Sequence, residues 1–330
     1  MLTDVFILGA TGFVGSAAVD AALEAGVSVG AWARTEAQAA ALRGRGVQVV
    51  ASPRIPATKV VIDLIQPNLP RRLTEEALIR AAGYRVEVTR SLLPAVPRGA
   101  LYFLVSGTDD FERGTVSHRS PFSARPSGFA RIGLSVRTEV VASATPFASL
   151  HLGTVYGPGK AFASTVFPRL AKGRLPVVGD GSNRLPLIHV EDAGRAILHL
   201  VSLEESRLRA HPWIITDGTA TTQRALLELG AQLLRAPAPR SVPRWLASLF
   251  AGSVGAASFA RDVPSDPSAL LSAGFRLRYP SISTGLPATI ARLEVIQGAR
   301  CSPCSPWAPT GRIRDEEPGG RAARLSHSFN

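Results

Sequence analysis

The sequence predicts an α/β protein in which a doubly wound parallel sheet is followed by a smaller, mainly helical C-terminal domain. Short apolar runs alternate with longer segments of helical periodicity through the first 160 residues. The first run ends in a glycine-rich turn, and after Gly157 glycine and proline interrupt mostly helical segments. The 330 residues are 45 % apolar and 19 % charged, which excludes a disulfide-stapled mini-protein and an intrinsically disordered chain.

Each element follows from its local pattern. Residues 5–18 read VFILGATGFVGSAA, which predicts a strand, a phosphate-binding loop and a helix that ends near Gly26. Apolar runs predict further strands at 27–33, 47–51, 59–65, 100–106 and 147–155, with helices at 72–82 and 86–96. Beyond Gly157 we expect a helix at 162–172, a Gly- and Pro-rich stretch at 173–186, an ordered segment at 188–201, a strand at 213–216 and mainly helical structure at 222–293.

The glycine-rich turn predicts a dinucleotide site. Gly9 permits a tight turn, Gly12 lets the backbone approach a pyrophosphate, and Gly15 allows the helix to pack closely on the strand. The unpaired amides that open the helix then face the phosphates, so the Thr11 side chain and the backbone of Phe13 and Val14 are predicted to line the site.

The end of the second strand bears on which dinucleotide binds. NAD recognition uses an acidic residue there to hold the ribose 2′-hydroxyl, whereas this chain has Ala33 followed by Arg34. A cation without a carboxylate favours the 2′-phosphate of NADP. The alternative stays open that Arg34 is one of 34 arginines and is only solvated, in which case NAD remains a candidate.

Several motifs together resemble one known family. The segments GATGFVG (9–15), VEVTRSLL (86–93), LYFLVSGT (101–108), GTVYGPG (153–159), GDGSNRLPLIHVEDAGRA (179–196) and GFRLRYPSISTGLPATI (274–290) are similar to the extended short-chain dehydrogenase/reductases, the NAD-dependent epimerase/dehydratase family. The resemblance covers residues 1–295. It implies a Rossmann domain at residues 1–160, completed by parts of 187–217, an interleaved substrate domain at 161–297, and homodimers. Residues 298–330 are predicted to form a disordered tail.

The resemblance also implies a catalytic pair that this chain lacks. The family uses a Tyr as acid/base and a Lys four residues later, which lowers the Tyr pKa. The corresponding helix, at 126–142, reads PSGFARIGLSVRTEVVA and contains neither residue. Alignment on Glu139 places Arg131 and Ser135 at the two positions, and alignment on Pro126 places Phe129 and Gly133 there. A literal Tyr156-x-x-x-Lys160 encloses Gly-Pro-Gly, which predicts that it is not helical.

Other polar residues are candidates for the chemistry. Thr108 stands at the position of the family's catalytic Ser or Thr, with a turn threonine as the alternative. Asp109 and Asp110 follow it and can supply a carboxylate that acts as acid or base. The alternative is that they cap a helix or are solvated. His118 and His151 are titratable candidates, and a packed, hydrogen-bonded histidine is the favoured interpretation of His151.

The substrate and partners are less constrained. The family resemblance implies an oxidoreductase or epimerase/dehydratase that transfers hydride between nicotinamide and a small or apolar alcohol or carbonyl. A nucleotide-sugar enzyme usually has Arg where this chain has Leu185, although Arg184 is adjacent, and the apolar 245–260 helix suits an apolar substrate or an ordinary lid. The missing Tyr and Lys also allow a non-catalytic dinucleotide sensor or scaffold.

Composition excludes several other functions. The net charge of +12 comes from 34 Arg and three Lys spread along the chain, without the block that nucleic-acid binding needs. Cys301 and Cys304 supply half of a zinc site, so no metal is expected. The longest uncharged apolar stretch has 16 residues, too few for a membrane span, and the N-terminus does not resemble a secretory signal, which predicts a cytoplasmic protein.

Overall fold

A computed structural model describes residues 3–50, 54–70, 72–159 and 162–300. Its centre is a seven-stranded, all-parallel sheet with the strand order β10-β6-β5-β4-β1-β2-β3. The strands are β1 (Thr3–Leu8), β2 (Val29–Trp32), β3 (Gln48–Val50), β4 (Thr58–Asp63), β5 (Leu101–Gly107), β6 (Phe147–Leu152) and β10 (Trp213–Ile215). Two short parallel pairs lie outside it, β7 (Thr154–Tyr156) with β9 (Leu187–His189) and β8 (Val177–Val178) with β11 (Ser241–Val242). The predicted doubly wound fold is confirmed.

Eleven helices are present in the described residues: α1 (Phe13–Glu24), α2 (Glu36–Arg43), α3 (Glu75–Leu92), α4 (Ala130–Ala142), α5 (Phe167–Ala171), α6 (Val190–Val201), α7 (Glu205–Arg209), α8 (Gln223–Leu233), α9 (Arg244–Phe259), α10 (Ser268–Ser272) and α11 (Ile282–Arg300). None in the described chain is long and apolar enough to cross a bilayer.

The two faces of the sheet bury separate cores, because side chains alternate along each strand. On one face α1 and α6 cover Val5, Ile7 and Phe103. They pack so closely that a Cβ at Gly194 would lie 2.5 Å from the Ala17 carbonyl carbon. On the other face α3 and α4 cover a core that includes Tyr102. Both layers hold the carboxyl ends of the strands at one edge of the sheet, where ligands bind in such folds.

Two predicted boundaries are wrong. The two helices expected at 72–82 and 86–96 form the single helix α3, capped by the Thr74 hydroxyl, which accepts a hydrogen bond of 3.2 Å from the Ala77 amide. Gly83 lies exposed inside it, with open space at its Cβ position, so it weakens the helix without ending it. The strand expected at 147–155 divides into β6 and β7 at Gly153, where a Cβ would lie 2.8 Å from the Pro186 carbonyl carbon.

The C-terminal elements belong to the same compact unit as the sheet. Residues Met1–Leu293 form that unit, and Glu294–Asn330 form a second, described here as helix to Arg300. The helices expected within 222–293 are confirmed as α8 to α11. The domain boundary at residue 160 stays a prediction, and from residue 301 onward the predicted tail and both cysteines lie outside the described residues.

Buried polar groups lie on and beside the β7–β9 pair, and two of them contact the C-terminal segment. The His189 imidazole lies 3.2 Å from the Thr289 hydroxyl of α11, and burial lowers its pKa to about 4. The Tyr156 hydroxyl donates weakly to the Ser281 carbonyl, and burial raises the pKa of the phenol. Asp217, just beyond β10, is 7 % exposed, and its Oδ2 has no hydrogen-bond partner in the described part of the chain. Burial raises the Asp217 pKa to about 6.

Helix α9 is kinked where it meets the loop that follows β4. Gly252 has φ +81° and ψ 162°, and a Cβ there would lie 2.7 Å from the Leu73 carbonyl carbon. The Leu73 amide donates to the Ala251 carbonyl at 2.9 Å, and the Leu73 carbonyl accepts from the Val254 amide at 3.2 Å. The kink therefore fastens the middle of α9 to the 64–74 loop through backbone hydrogen bonds.

We expect Gly252→Ala to lower the free energy of unfolding by about 2–4 kcal/mol, because the positive φ and the Leu73 backbone both oppose a Cβ. Gly83→Ala is the matched control and should raise it by about 0.5–1 kcal/mol, because it adds a helix-forming residue in open space. Urea unfolding measures both. Wild-type stability in Gly252→Ala would contradict this account of the kink.

Asp217→Asn should alter the pH dependence of stability. Native Asp217 keeps its proton up to pH about 6, whereas the unfolded group loses it near 3.8, so the native state binds more protons between these values. The contribution of this group to the free energy of unfolding therefore falls by about 3 kcal/mol as pH rises through that window. The variant should match wild type at pH 4 and exceed its melting temperature at pH 8. Asp180→Asn, at an exposed carboxyl whose pKa hydrogen bonds from Ser182 lower, should give no such gain.

Candidate functional site

The turn between β1 and α1 is held tight by close backbone packing. Gly9 has φ +80°, and a Cβ there would lie 2.7 Å from the Leu64 carbonyl oxygen at the end of β4. A Cβ at Gly15 would lie 2.8 Å from the Gly9 carbonyl carbon. The Gly12 amide donates to the Gly9 carbonyl at 2.8 Å, which closes the turn. Any side chain at Gly9 or Gly15 would force the loop away from the sheet.

The start of α1 presents uncompensated amides. The residue before the helix, Gly12, is extended, with φ −73° and ψ 174°, and no side chain caps the helix. The first turn contains no acidic residue, and Thr11 is exposed beside it. The amide groups and the positive end of the helix dipole are therefore available to an anion at the predicted positions, Phe13 and Val14.

Arg34 lies beyond the end of β2, next to this loop in the sheet order. Its backbone amide donates to Gln38 Oε1 at 3.0 Å, and the Thr35 hydroxyl caps α2. The Arg34 guanidinium is exposed and makes no hydrogen bond or ion pair with any described residue. It is a free cation at the strand end where the adenosine ribose of a dinucleotide lies in this fold.

Thr108 lies at the carboxyl end of β5, in a 3₁₀ turn that covers Thr108–Asp110. The residue is 4 % exposed, yet its hydroxyl makes no hydrogen bond to another described residue. A turn threonine would use this hydroxyl to cap the local backbone, and here it does not. The hydroxyl can therefore hydrogen-bond to a ligand at this edge of the sheet.

Asp109 connects this turn to the end of α9. Its Oδ1 accepts from Arg261 Nη1 at 2.7 Å, and Arg261 Nη2 donates to the Phe111 carbonyl at 2.9 Å. Burial raises the pKa of Asp109, while Arg261 opposes the shift. Asp110 is 2 % exposed, so its interpretation as a solvated residue is wrong, whereas Asp109 is partly exposed and ion-paired with Arg261.

Asp110 belongs to a buried polar chain with His151 and Ser149. His151 Nδ1 donates to the Gly107 carbonyl at 3.2 Å and lies 3.2 Å from Asp110 Oδ2. A carbonyl can only accept, so Nδ1 carries a proton, and Nε2 lies within hydrogen-bond distance of the Ser149 hydroxyl, at 2.7 Å. The favoured interpretation of His151 as a packed, hydrogen-bonded residue is confirmed. Ser149 was missed, although the alternation in SLHL places it on the His151 face of β6.

Helix α4 contacts this chain through Gly133. A Cβ there would lie 2.6 Å from Asp110 Oδ2, so the carboxylate fills the space of a side chain. In the other alignment, Arg131 donates from Nε to Glu75 Oε2 at 2.9 Å. Neither alignment supplies a phenol or an amine. Tyr156 ends β7 fully buried and is followed by Gly157 at φ +151°, so it does not start a helix. Lys160 lies outside the described residues.

A second buried charge cluster lies beside the glycine loop and was missed by sequence reasoning. Asp63, the last residue of β4, accepts from Arg85 at 2.7 Å and from the Tyr102 hydroxyl at 2.6 Å. All three side chains are buried, and burial raises the pKa of Tyr102 well above its usual value. The Ile65 amide donates to the other Asp63 oxygen at 3.0 Å. The cluster fixes the start of the loop against which Gly9 packs.

His118 is not part of this edge. Its ring lies 5.0 Å from that of His211, which precedes the amino end of β10. Arg184, near the position where nucleotide-sugar enzymes carry Arg, forms an ion pair of 2.6 Å with Asp262. Within the described residues, no three His, Cys, Asp or Glu side chains are placed to hold a metal ion.

Comparison with solved structures gives the same fold. The human epimerase family protein SDR39U1 (isoform 2), crystallised with NADPH, is 20 % identical, with a TM-score of 0.72 over 88 % of this chain and 99 % of its own. The UDP-glucuronic acid 4-epimerase of Bacillus cereus, in complex with UDP-glucuronic acid and NAD, is 17 % identical, with a TM-score of 0.68 over 90 % and 100 %. The NDP-hexosamine 5,6-dehydratase TunA is 19 % identical, with a TM-score of 0.66 over 90 % and 98 %.

No curated protein matches the sequence. The family profile described as "NAD dependent epimerase/dehydratase family" matches residues 5–213, which include the glycine loop, Thr108 and the His151 chain. With more than half of the chain matched, the protein belongs to the NAD-dependent epimerase/dehydratase family.

Proposed function

We propose that the protein binds a nicotinamide dinucleotide, with NADP preferred over NAD, and transfers hydride between it and a small or apolar alcohol or carbonyl. The observation that carries the proposal is the uncapped start of α1 behind a loop in which Gly9 and Gly15 leave no room for a Cβ. Such a loop brings backbone amides against a pyrophosphate. The residues fit the cofactor that the family name implies.

Arg34 supports the preference for NADP. A guanidinium without a protein partner can form two charge-assisted hydrogen bonds to a 2′-phosphate, and no carboxylate follows β2 to hold a 2′-hydroxyl. The human structure contains NADPH and the Bacillus cereus structure contains NAD, so similar folds accept either dinucleotide.

Thr108 is the residue to which we assign the substrate oxygen. Its hydroxyl is free to donate at the strand end where the family's catalytic Ser or Thr stands. When bound, the nicotinamide supplies or accepts the hydride. The Thr108 hydroxyl positions the carbonyl oxygen. The proton that completes the alcohol is taken from water, because α4 presents neither Tyr nor Lys to donate it.

The filled space at Gly133 favours a second candidate function. In the alignment on Pro126, which places Gly133 at the position of the family's Lys, the Asp110 carboxylate lies against the helix backbone. A protein that binds the dinucleotide without turnover, as a redox sensor or scaffold, fits that arrangement. In either case we propose residues 1–160 as the cofactor part and 161–297 as the ligand part. A homodimer and a cytoplasmic location are also proposed, from the family resemblance and the sequence.

Arg34→Ala should separate NADPH from NADH in calorimetric titrations. We expect the NADPH affinity to fall roughly 10- to 100-fold, which is the usual value of charge-assisted hydrogen bonds, while the NADH affinity changes little. Arg98→Ala, at an exposed arginine beyond the other edge of the sheet, should leave both unchanged. Equal losses for both dinucleotides would contradict the role of Arg34, and no binding of either by wild type would refute the proposed function.

Thr108→Val tests turnover. With NADPH and a panel of apolar aldehydes and ketones, wild type should oxidise the cofactor, and the variant should do so roughly 100-fold more slowly, because the oxygen loses its only donor among the assigned residues. Thr108→Ser should restore the rate, and NADPH affinity should stay unchanged in both variants. Tight NADPH binding with no oxidation by wild type would instead support the sensor.

A further inference from the structure

A cluster of unpaired cations lies on the C-terminal part of the chain, and its members come from two separate segments. Residues 163–180 and 229–261 contain Asp180 as their only acidic residue. In these segments six exposed cations form no ion pair with any described residue: Arg169, Lys172, Arg174, Arg235, Arg240 and Arg244. These two segments therefore carry a local excess of positive charge.

The β8–β11 pair brings the two segments together. The Val177 amide donates to the Arg240 carbonyl at 3.0 Å, and the Gly179 amide donates to the Val242 carbonyl at 2.8 Å. A Cβ at Gly173 would lie 3.7 Å from the Pro237 ring. Because the two strands are parallel, the five cations that precede them lie at the same end of the pair, and Arg244 follows β11 at the start of α9. We call these six residues the basic patch.

Exposed apolar side chains adjoin the basic patch. Helix α9 begins at Arg244, and Trp245 and Leu249, one turn apart on one helix face, are 68 % and 56 % exposed. The kink at Gly252 fastens the second half of α9 to Leu73, whereas the first half carries these two side chains outward. Large apolar groups at this exposure cost free energy in water unless a partner covers them.

We propose that the basic patch, together with Trp245 and Leu249, binds the surface of a lipid bilayer that contains anionic lipids. Cations next to exposed Trp and Leu match the two layers of such a surface, since the phosphates attract the arginines and the acyl boundary accepts the apolar groups. A nucleic-acid duplex offers phosphates but no apolar surface for Leu249. This proposal is independent of the dinucleotide site.

The experiment is flotation of the full chain with vesicles of phosphatidylcholine alone or mixed with phosphatidylglycerol. We expect binding to the mixed vesicles only, and its loss as salt is raised. The double variant Arg169→Gln/Arg240→Gln should weaken binding roughly 30-fold, because each cation near an anionic surface contributes about fivefold. Trp245→Ser should weaken it roughly tenfold.

The matched control is Arg98→Gln/Arg207→Gln, which removes the same charge from two exposed arginines outside the basic patch and should not weaken vesicle binding beyond about twofold. A second measurement uses tryptophan emission, which should shift to the blue with mixed vesicles in wild type. Trp245→Phe should keep most of the vesicle binding and abolish the shift.

Three results would overturn the proposal. The first is equal binding to both vesicle types or to neither. The second is an equal loss of vesicle binding in the control double variant and in Arg169→Gln/Arg240→Gln, which would show that only the total charge of the protein matters. The third is salt-sensitive binding to duplex DNA, or self-association, that depends on the basic patch while the mixed vesicles do not bind.

Discussion

The close approach of the glycine loop to the neighbouring strand end is the constraint on which the site depends. Gly9 lies against the Leu64 carbonyl and Gly15 lies against Gly9, so the start of α1 is held at the edge of the sheet by backbone contacts. Backbone atoms cannot move aside as a flexible side chain can. The amides of α1 are therefore positioned before any anion arrives, which lowers the entropy cost of binding.

The buried charges stabilise the same edge in a different way. Asp63 receives hydrogen bonds from Arg85 of α3, Tyr102 of β5 and the Ile65 amide, so a helix, a strand and the loop that contacts Gly9 all meet at one carboxylate. Removal of one partner would leave a charge or a polar group buried and unpaired, which costs far more than an exposed pair contributes. The cluster thus fixes the strand end against which Gly9 packs. Asp110 and His151 act similarly at the end of β5.

Most of the fold could be predicted from the sequence because strands and helices leave local periodic patterns. The seven sheet strands, α1 and the glycine loop all carry such patterns. The break expected between residues 82 and 86 does not occur, since packing on the sheet holds α3 together across the exposed Gly83. The sequence around Gly153 does not predict that the Pro186 backbone lies where a Cβ of residue 153 would be, because the two residues are 33 positions apart. Contacts between distant segments have no local signature.

The candidate site shows the same limit. The sequence was enough to name four residues of the candidate site: Gly9, Thr108, Asp110 and His151. It did not predict that the Asp110 side chain fills the space at Gly133, or that His151 lies beside Asp110. A glycine in a helix indicates that another group packs closely against the helix backbone, but it does not identify that group. In the alignment on Pro126, the absence of a Lys at residue 133 has a physical reason, because a long side chain there would have to displace the buried Asp110 carboxylate. In that alignment the helix and the β5 turn are matched to each other, and a Lys introduced at residue 133 without a change at Asp110 would not rebuild the family's usual site.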